Sequence, residues 1–194
     1  SFSGQHFASA DAADTWAKES FKEWGADLSK SERAALSGYQ GSDFRSINSG
    51  LREGTVPSDY VDSVLSLDSA IGRGTLKANT TVYRGMGLDD AGAQALADQW
   101  KPGSTFKERG FMSTSLDKDM AHNQFVEGDG PKARIEIRAP KGTHAGYMNA
   151  ASDEQEFAHE RELLLPRGTQ YRIVSNEKAP NGDVHVVMEV AHGG

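Results

Sequence analysis

The spacing of apolar residues changes period once along this chain, and that change limits what it can fold into. In the first half, apolar residues recur every three or four positions; from about residue 104 they alternate. Trp16, Phe21 and Trp24 fall on helical spacing, with Asp11 or Asp14 able to cap the segment. Ser29 and Glu32 form a capping-box pattern ahead of Ala34, Ala35 and Leu36. Phe44, Ile47 and Leu51 predict a short amphipathic helix over 42–51. Pro57 and Ser58 open another helix that runs to Gly72, and 88–100 reads as one more, closed by Lys101–Pro102–Gly103. A single strand, 81–84, lies inside this helical half. Phe106, 110–114, 133–137, 162–165, 171–173 and 184–190 then read as strands separated by Gly and Pro turns, with Asn181–Gly182 as a hairpin turn. Helices and strands in separate blocks argue for an α+β fold, not alternating βαβ units. One domain over 1–194 is expected, with a helical lobe over about 1–75 and a β-rich core over about 80–194.

Composition removes several functional classes. There is no cysteine, so disulfide frameworks, thiolate zinc sites and thiol nucleophiles are excluded. The formal charge of −7 argues against generic nucleic-acid binding, which rests on neutralising phosphates. No run reaches the roughly 18 apolar residues that a membrane helix needs. The N-terminus lacks a charged segment followed by an apolar one, so no signal peptide is read, and its abrupt start suggests an excised domain. Gly85–Met86–Gly87 runs into Leu88–Asp89–Asp90, which breaks a dinucleotide fingerprint at its third glycine. No phosphate-loop, His-Glu-x-x-His or Gly-x-Ser-x-Gly pattern is present, and no metal is expected.

Three short motifs carry chemistry. Tyr83–Arg84–Gly85 ends an apolar strand: a guanidinium there can fork two N–H bonds onto a phosphate, and the glycine allows close backbone approach. In Gly110–Phe111–Met112–Ser113–Thr114–Ser115, small hydroxyls at a strand end can hold a ligand or a buried carboxylate. In Phe157–Ala158–His159–Glu160–Arg161–Glu162, two carboxylates stand two residues apart. If Glu162 begins a strand, alternation points both to one side. One carboxylate can then stabilise a cationic sugar while the other orients a nucleophile. Taken singly, each motif also suits a solvated strand rim; their order and joint presence raise the weight of all three.

Arg, then Ser-Thr-Ser, then Glu-x-Glu, each at a strand edge, resembles the Arg-Ser-Glu group of mono-ADP-ribosyltransferases, the cholera-toxin-like family. The branch it looks most like contains clostridial binary toxins and bacterial actin-modifying effectors. Tyr39 through Asn48 resembles the helix these toxins place over NAD, and Ala121 and Phe125 resemble the lead into their phosphate–nicotinamide loop. Pro140–Lys141–Gly142 with Gly146–Tyr147 resembles the strand before their target-recognition loop, and Phe157, Glu160 and Glu162 fit the loop itself.

The resemblance implies a mixed or antiparallel β-sandwich core with an N-terminal helical lobe. It also implies NAD as co-substrate, cleaved between nicotinamide and ribose, with ADP-ribose passed to a protein. By the same resemblance, Arg84, Ser113, Glu160 and Glu162 are the catalytic set, and Phe157 with Glu160 reads the target. Tyr39, Arg84, Gly85, Ser113, Thr114, Phe125, Arg134 and Glu162 would contact NAD, with Arg138 competing with Arg134 for the second phosphate. Glu at position 160 goes with arginine acceptors in this family, and Gln with asparagine acceptors. The implied partner is a protein with a reactive arginine, actin first, with a small GTPase or a bacterial protein as rivals. A monomer, secreted or translocated from a bacterium into a target cell, is expected. An NAD glycohydrolase and a catalytically silent binding domain remain as alternatives.

Overall fold

Helix α1 (Ala10–Ser20) begins at Ser9, whose hydroxyl accepts from the Ala12 N–H at 3.1 Å. Neither Asp11 nor Asp14 caps it, contrary to expectation: Asp11 lies in the first turn, and Asp14 faces the β-rich half, where it accepts hydrogen bonds from Tyr147 and Asn149. The structure is a computed structural model describing residues 2–124 and 128–192. After the short α2 (Lys22–Ala26), α3 (Lys30–Gly38) starts with the expected capping box, Ser29 and Glu32 satisfying each other's backbone N–H. A π-helical turn, Tyr39–Asp43, joins α3 to α4 (Phe44–Glu53). A 3₁₀ turn at Ser58–Tyr60 delays α5 (Val61–Arg73) beyond Pro57.

The rest of the chain supplies β1 (Thr80–Gly87), α6 (Asp90–Gln99), β2 (Thr105–Glu108), β3 (Met112–Ser115) and β4 (Lys132–Ala139). It continues with β5 (Gly146–Tyr147), α7 (Met148–Ala151), β6 (Glu162–Leu165), β7 (Thr169–Lys178) and β8 (Val184–His192). The eight strands form one sheet in the order β2-β7-β8-β4-β1-β3-β6-β5, antiparallel throughout except β4 with β8. Gly182, at φ 92°, makes the expected turn between β7 and β8.

The α+β fold expected from the block pattern is therefore present, with one refinement. β1 and β3 share a single residue pair, Tyr83 with Ser115, so the sheet is continuous only through that junction. Val82, Ile135, Ile137 and Met188 on one side of the junction share a core with Met112, Tyr147, Leu163 and Leu165 on the other. The sandwich is thus one sheet whose two halves face a common core.

β6 is buried on both faces. Leu163 and Leu165 enter that core, while Leu164 enters a second cluster with Leu36, Tyr39, Ile47, Leu67 and Ile71 of the helical lobe. This explains why residues 163–165 are an unbroken apolar run, where the alternation expected from residue 104 onward is not kept. Each such leucine stabilises the fold by roughly 1.5–3 kcal/mol. The strand that opens with Glu162 is therefore anchored from both sides.

Candidate active site

A cavity of about 830 Å³ opens where β1, β3 and β6 meet the π-helical turn. That volume lies within the usual range for small-molecule sites, roughly 300–1,000 Å³. Arg84, Gly85, Ser113, Glu160 and Glu162 all line it, together with Tyr39, Thr114 and Phe157. The three motifs, separated by up to 78 positions, thus converge on one space.

Each side chain has a local reason for its place. Arg84 leaves β1 partly buried and donates from one guanidinium nitrogen to the Ser113 carbonyl at 2.9 Å. Burial depresses its pKa, but a guanidinium stays protonated, so a fixed cation lines the cavity with further N–H donors available. The Ser113 hydroxyl lies 3.0 Å from the Tyr39 hydroxyl. Asn48 donates to that Tyr39 oxygen at 2.9 Å and accepts from the Phe111 N–H at 2.9 Å. Phe111, Asn48 and Tyr39 of this chain are buried and Ser113 is half-buried, and burial raises the Tyr39 pKa, keeping its phenol neutral. Gly110 belongs to the same device: a Cβ there would stand 3.0 Å from the Asn48 side-chain oxygen.

Glu162 opens β6 opposite Ser115 and is 6% exposed. The Gln40 amide donates to its carboxylate at 3.2 Å. Burial, reinforced by the Glu160 charge, lifts its pKa to about 7, against the opposing pull of Ser113, Gln40 and Arg84. Burial also raises the Glu160 pKa. Strand alternation does not bring the two carboxylates together, as the sequence suggested. Glu160 ends a 3₁₀ turn, Ala158–Glu160, and Arg161 then takes a left-handed backbone, φ 45°, before the strand starts. The turn and the kink aim both carboxylates into the cavity.

Several residues expected to contact NAD have protein partners of their own. The Thr114 hydroxyl donates to the Leu163 carbonyl at 2.7 Å, joining β3 to β6. Ser115 donates to the Glu160 carbonyl at 2.6 Å, pinning the turn from below. Arg134 does not reach the cavity lining. It pairs with Asp183, which also accepts from the Lys132 N–H at 3.0 Å, so its charge is engaged near the start of β4, at the register position opposite Gly85. Arg138 is absent from the lining as well. The second arginine on the cavity is Arg45 of α4, exposed and 5.4 Å from the Phe44 ring. Phe125 lies outside the described residues. Gln40 and Arg45 escaped the sequence reading because no short motif announces the π-helical turn that holds Gln40 and leads into the start of α4, where Arg45 lies.

Among the described residues no group of three or more His, Asp or Glu side chains could hold a metal ion, and no helix is long and apolar enough to cross a membrane. The sequence pattern of the ADP-ribosyltransferase exoenzyme family matches residues 13–191. The chain belongs to that family. The exoenzyme is 28% identical to the epidermal cell differentiation inhibitor of Staphylococcus aureus, over 89% of this chain and 78% of that protein. It is 29% identical to the NAD⁺–arginine ADP-ribosyltransferase EFV of Enterococcus faecalis, over 77% of this chain but only 30% of that protein. The crystal structure of the Clostridium limosum C3 exoenzyme superposes with a TM-score of 0.77 at 25% identity, covering 98% of both chains. The family, the fold and the transferase chemistry expected from the motifs are therefore present, with NAD as co-substrate. The cavity suits that group chemically: a fixed guanidinium can hold a diphosphate, and a buried carboxylate can face a cationic ribose.

Proposed function

We propose that this exoenzyme transfers ADP-ribose from NAD to an arginine side chain of a partner protein, as a toxin or effector acting inside a target cell. The observation that supports it is Glu160 beside Glu162 on the cavity that Arg84 also lines. Ionised Glu162 stabilises the positive charge that develops on the ribose as the bond to nicotinamide breaks. Arg84 holds the diphosphate through its guanidinium fork, and the Gly85 backbone, carrying no side chain, meets the nicotinamide end. Ser113, itself held by Tyr39 and Asn48, keeps the space beside Glu162 in shape.

Glu160 selects the acceptor. A guanidinium is protonated at any working pH and is a poor nucleophile. A neighbouring carboxylate pairs with it, orients one nitrogen and accepts the proton released as the new C–N bond forms. Phe157 at the rim supplies an apolar contact, and exposed Glu154 and Glu156 favour a basic target surface. Actin is the first protein to assay, with small GTPases beside it.

The test incubates labelled NAD with actin, small GTPases and a cell lysate, using wild type and Glu160→Gln. Wild type is expected to label a protein on arginine. Glu160→Gln is expected to lose transfer by about 100-fold while still releasing nicotinamide, because an amide hydrogen-bonds but takes no proton. Equal loss of both activities would place Glu160 in the sugar chemistry. Nicotinamide release with no labelled protein would make the chain a glycohydrolase.

A further inference from the structure

Arg161 stands between the two glutamates, yet its side chain turns away from them. One guanidinium nitrogen donates to Asp117 at 3.2 Å and to the His159 carbonyl at 3.2 Å; the other donates to Asp11 of α1 at 2.6 Å. Its backbone, at φ 45°, is the only non-glycine position with positive φ among the described residues. A non-glycine residue holds that conformation only where its surroundings impose it. Its Nε is buried and has no hydrogen-bond partner among the described residues.

The surroundings do impose it. Asn149 donates to the Ala158 carbonyl at 2.8 Å, Ser115 to the Glu160 carbonyl at 2.6 Å, and the Leu116 N–H to the Arg161 carbonyl at 3.1 Å. With Arg161 on the His159 carbonyl, all four carbonyls from 158 to 161 are anchored. Glu162 is fixed independently by β6. Glu160 lies on the other side of the kink, at the end of the 3₁₀ turn.

We propose that Arg161 is a positioning residue: its guanidinium, clamped by Asp117 and Asp11, maintains the left-handed kink that turns Glu160 into the cavity beside Glu162. The clamp acts on acceptor chemistry and leaves sugar chemistry to β6. It rests on the arginine-acceptor reading of Glu160.

The test compares Arg161→Ala, Arg161→Gly and Asp117→Asn by two readouts: transfer to agmatine, an alkylguanidine, and nicotinamide release without acceptor. Alanine removes the clamp and keeps the backbone penalty; glycine removes the clamp and the penalty together. Arg161→Ala is expected to lower kcat for transfer by about tenfold or more, with KM for NAD and nicotinamide release changing by less than about threefold. Arg161→Gly is expected to recover most of the transfer. Asp117→Asn is expected to fall in the same direction as alanine, and it decides against glycine if the alanine variant fails to fold. Equal transfer in the alanine and glycine variants, or full transfer in both, overturns the proposal.

If wild type releases nicotinamide but labels neither agmatine nor any lysate protein, the arginine reading fails and the kink is judged separately. The groups facing Glu162 are Glu160, Arg84, Gln40, Ser113 and Tyr39. Both Arg161 variants lack the same charge, so a difference between them reports the backbone. With Glu160 displaced, the acid limb of nicotinamide release is expected at lower pH in the alanine variant than in the glycine variant. Coincident limbs overturn the kink as well.

Discussion

At Glu162, burial and the neighbouring Glu160 charge lift the carboxyl pKa to about 7, whereas the same group in an unfolded chain titrates near 4.3. The folded state therefore binds more protons than the unfolded state between those values. The stability this carboxyl contributes is complete below about pH 4 and is lost as pH rises through about 7. At pH 8 the ionised group costs the fold on the order of 3 kcal/mol. Glu162→Gln, which removes the charge and keeps the shape, is expected to raise the melting temperature at pH 8, with the gain shrinking toward pH 4. It is also expected to lower nicotinamide release by at least about 100-fold. Thermal melts across pH together with a nicotinamide assay check both halves. Wild-type activity is expected to fall as pH drops below about 7, when Glu162 takes up its proton.

Among the elements, the segment that most shapes the cavity is the π-helical turn with the start of α4. It points Gln40 at Glu162, sets Tyr39 against Ser113, and places Asn48 where it meets the Phe111 N–H. Gly110 allows that close approach, because a Cβ would stand 3.0–3.2 Å from three Asn48 side-chain atoms. Gly110→Ala is expected to push Asn48 off its two partners. The lost buried hydrogen bonds cost about 1–3 kcal/mol, and nicotinamide release falls as Ser113 loses its support. Denaturant unfolding measures the first effect and steady-state kinetics the second. A variant as stable and as active as wild type would show that Asn48 is dispensable to the site.

On the scale of the whole molecule, α1 ties the start of the helical half to the β-rich half. Ala13 and Ala17 pack into the main core, and Asp14 accepts from Tyr147 and Asn149, more than 130 positions away. Asn149 in turn holds the Ala158 carbonyl, so the N-terminal helix supports the loop that presents Glu160. Asp14→Ala would leave the hydroxyl of fully buried Tyr147 without its acceptor. The expected loss is about 1–3 kcal/mol of stability at pH 7. Tyr147, Asn149 and Lys18 hold the Asp14 pKa below its ordinary value against the burial that raises it. The wild-type advantage is therefore present above about pH 4 and is lost as pH falls below it. Urea unfolding of the pair at pH 7 and pH 3 checks the size and the sign.

Much of this protein can be read residue by residue. The helical blocks, the capping box at Ser29, the hairpin at Gly182, the buried run at 163–165 and the Arg, Ser-Thr-Ser and Glu-x-Glu motifs are local patterns. Spacing and capping chemistry depend on near neighbours in sequence, so they survive without knowledge of the fold. The site's finer arrangement does not. Arg134, expected at the second phosphate, pairs with Asp183, 49 positions away, and no local pattern announces that partner. Gln40 looks like a surface residue until the π-helical turn points it at Glu162, and Arg45 follows it on the exposed start of α4. Glu160 and Glu162 share a cavity through a left-handed Arg161, although simple alternation would predict the same outcome for a different reason. Each of these depends on distances between distant segments, and those distances exist only once burial, strand register and non-local hydrogen bonds have been satisfied together.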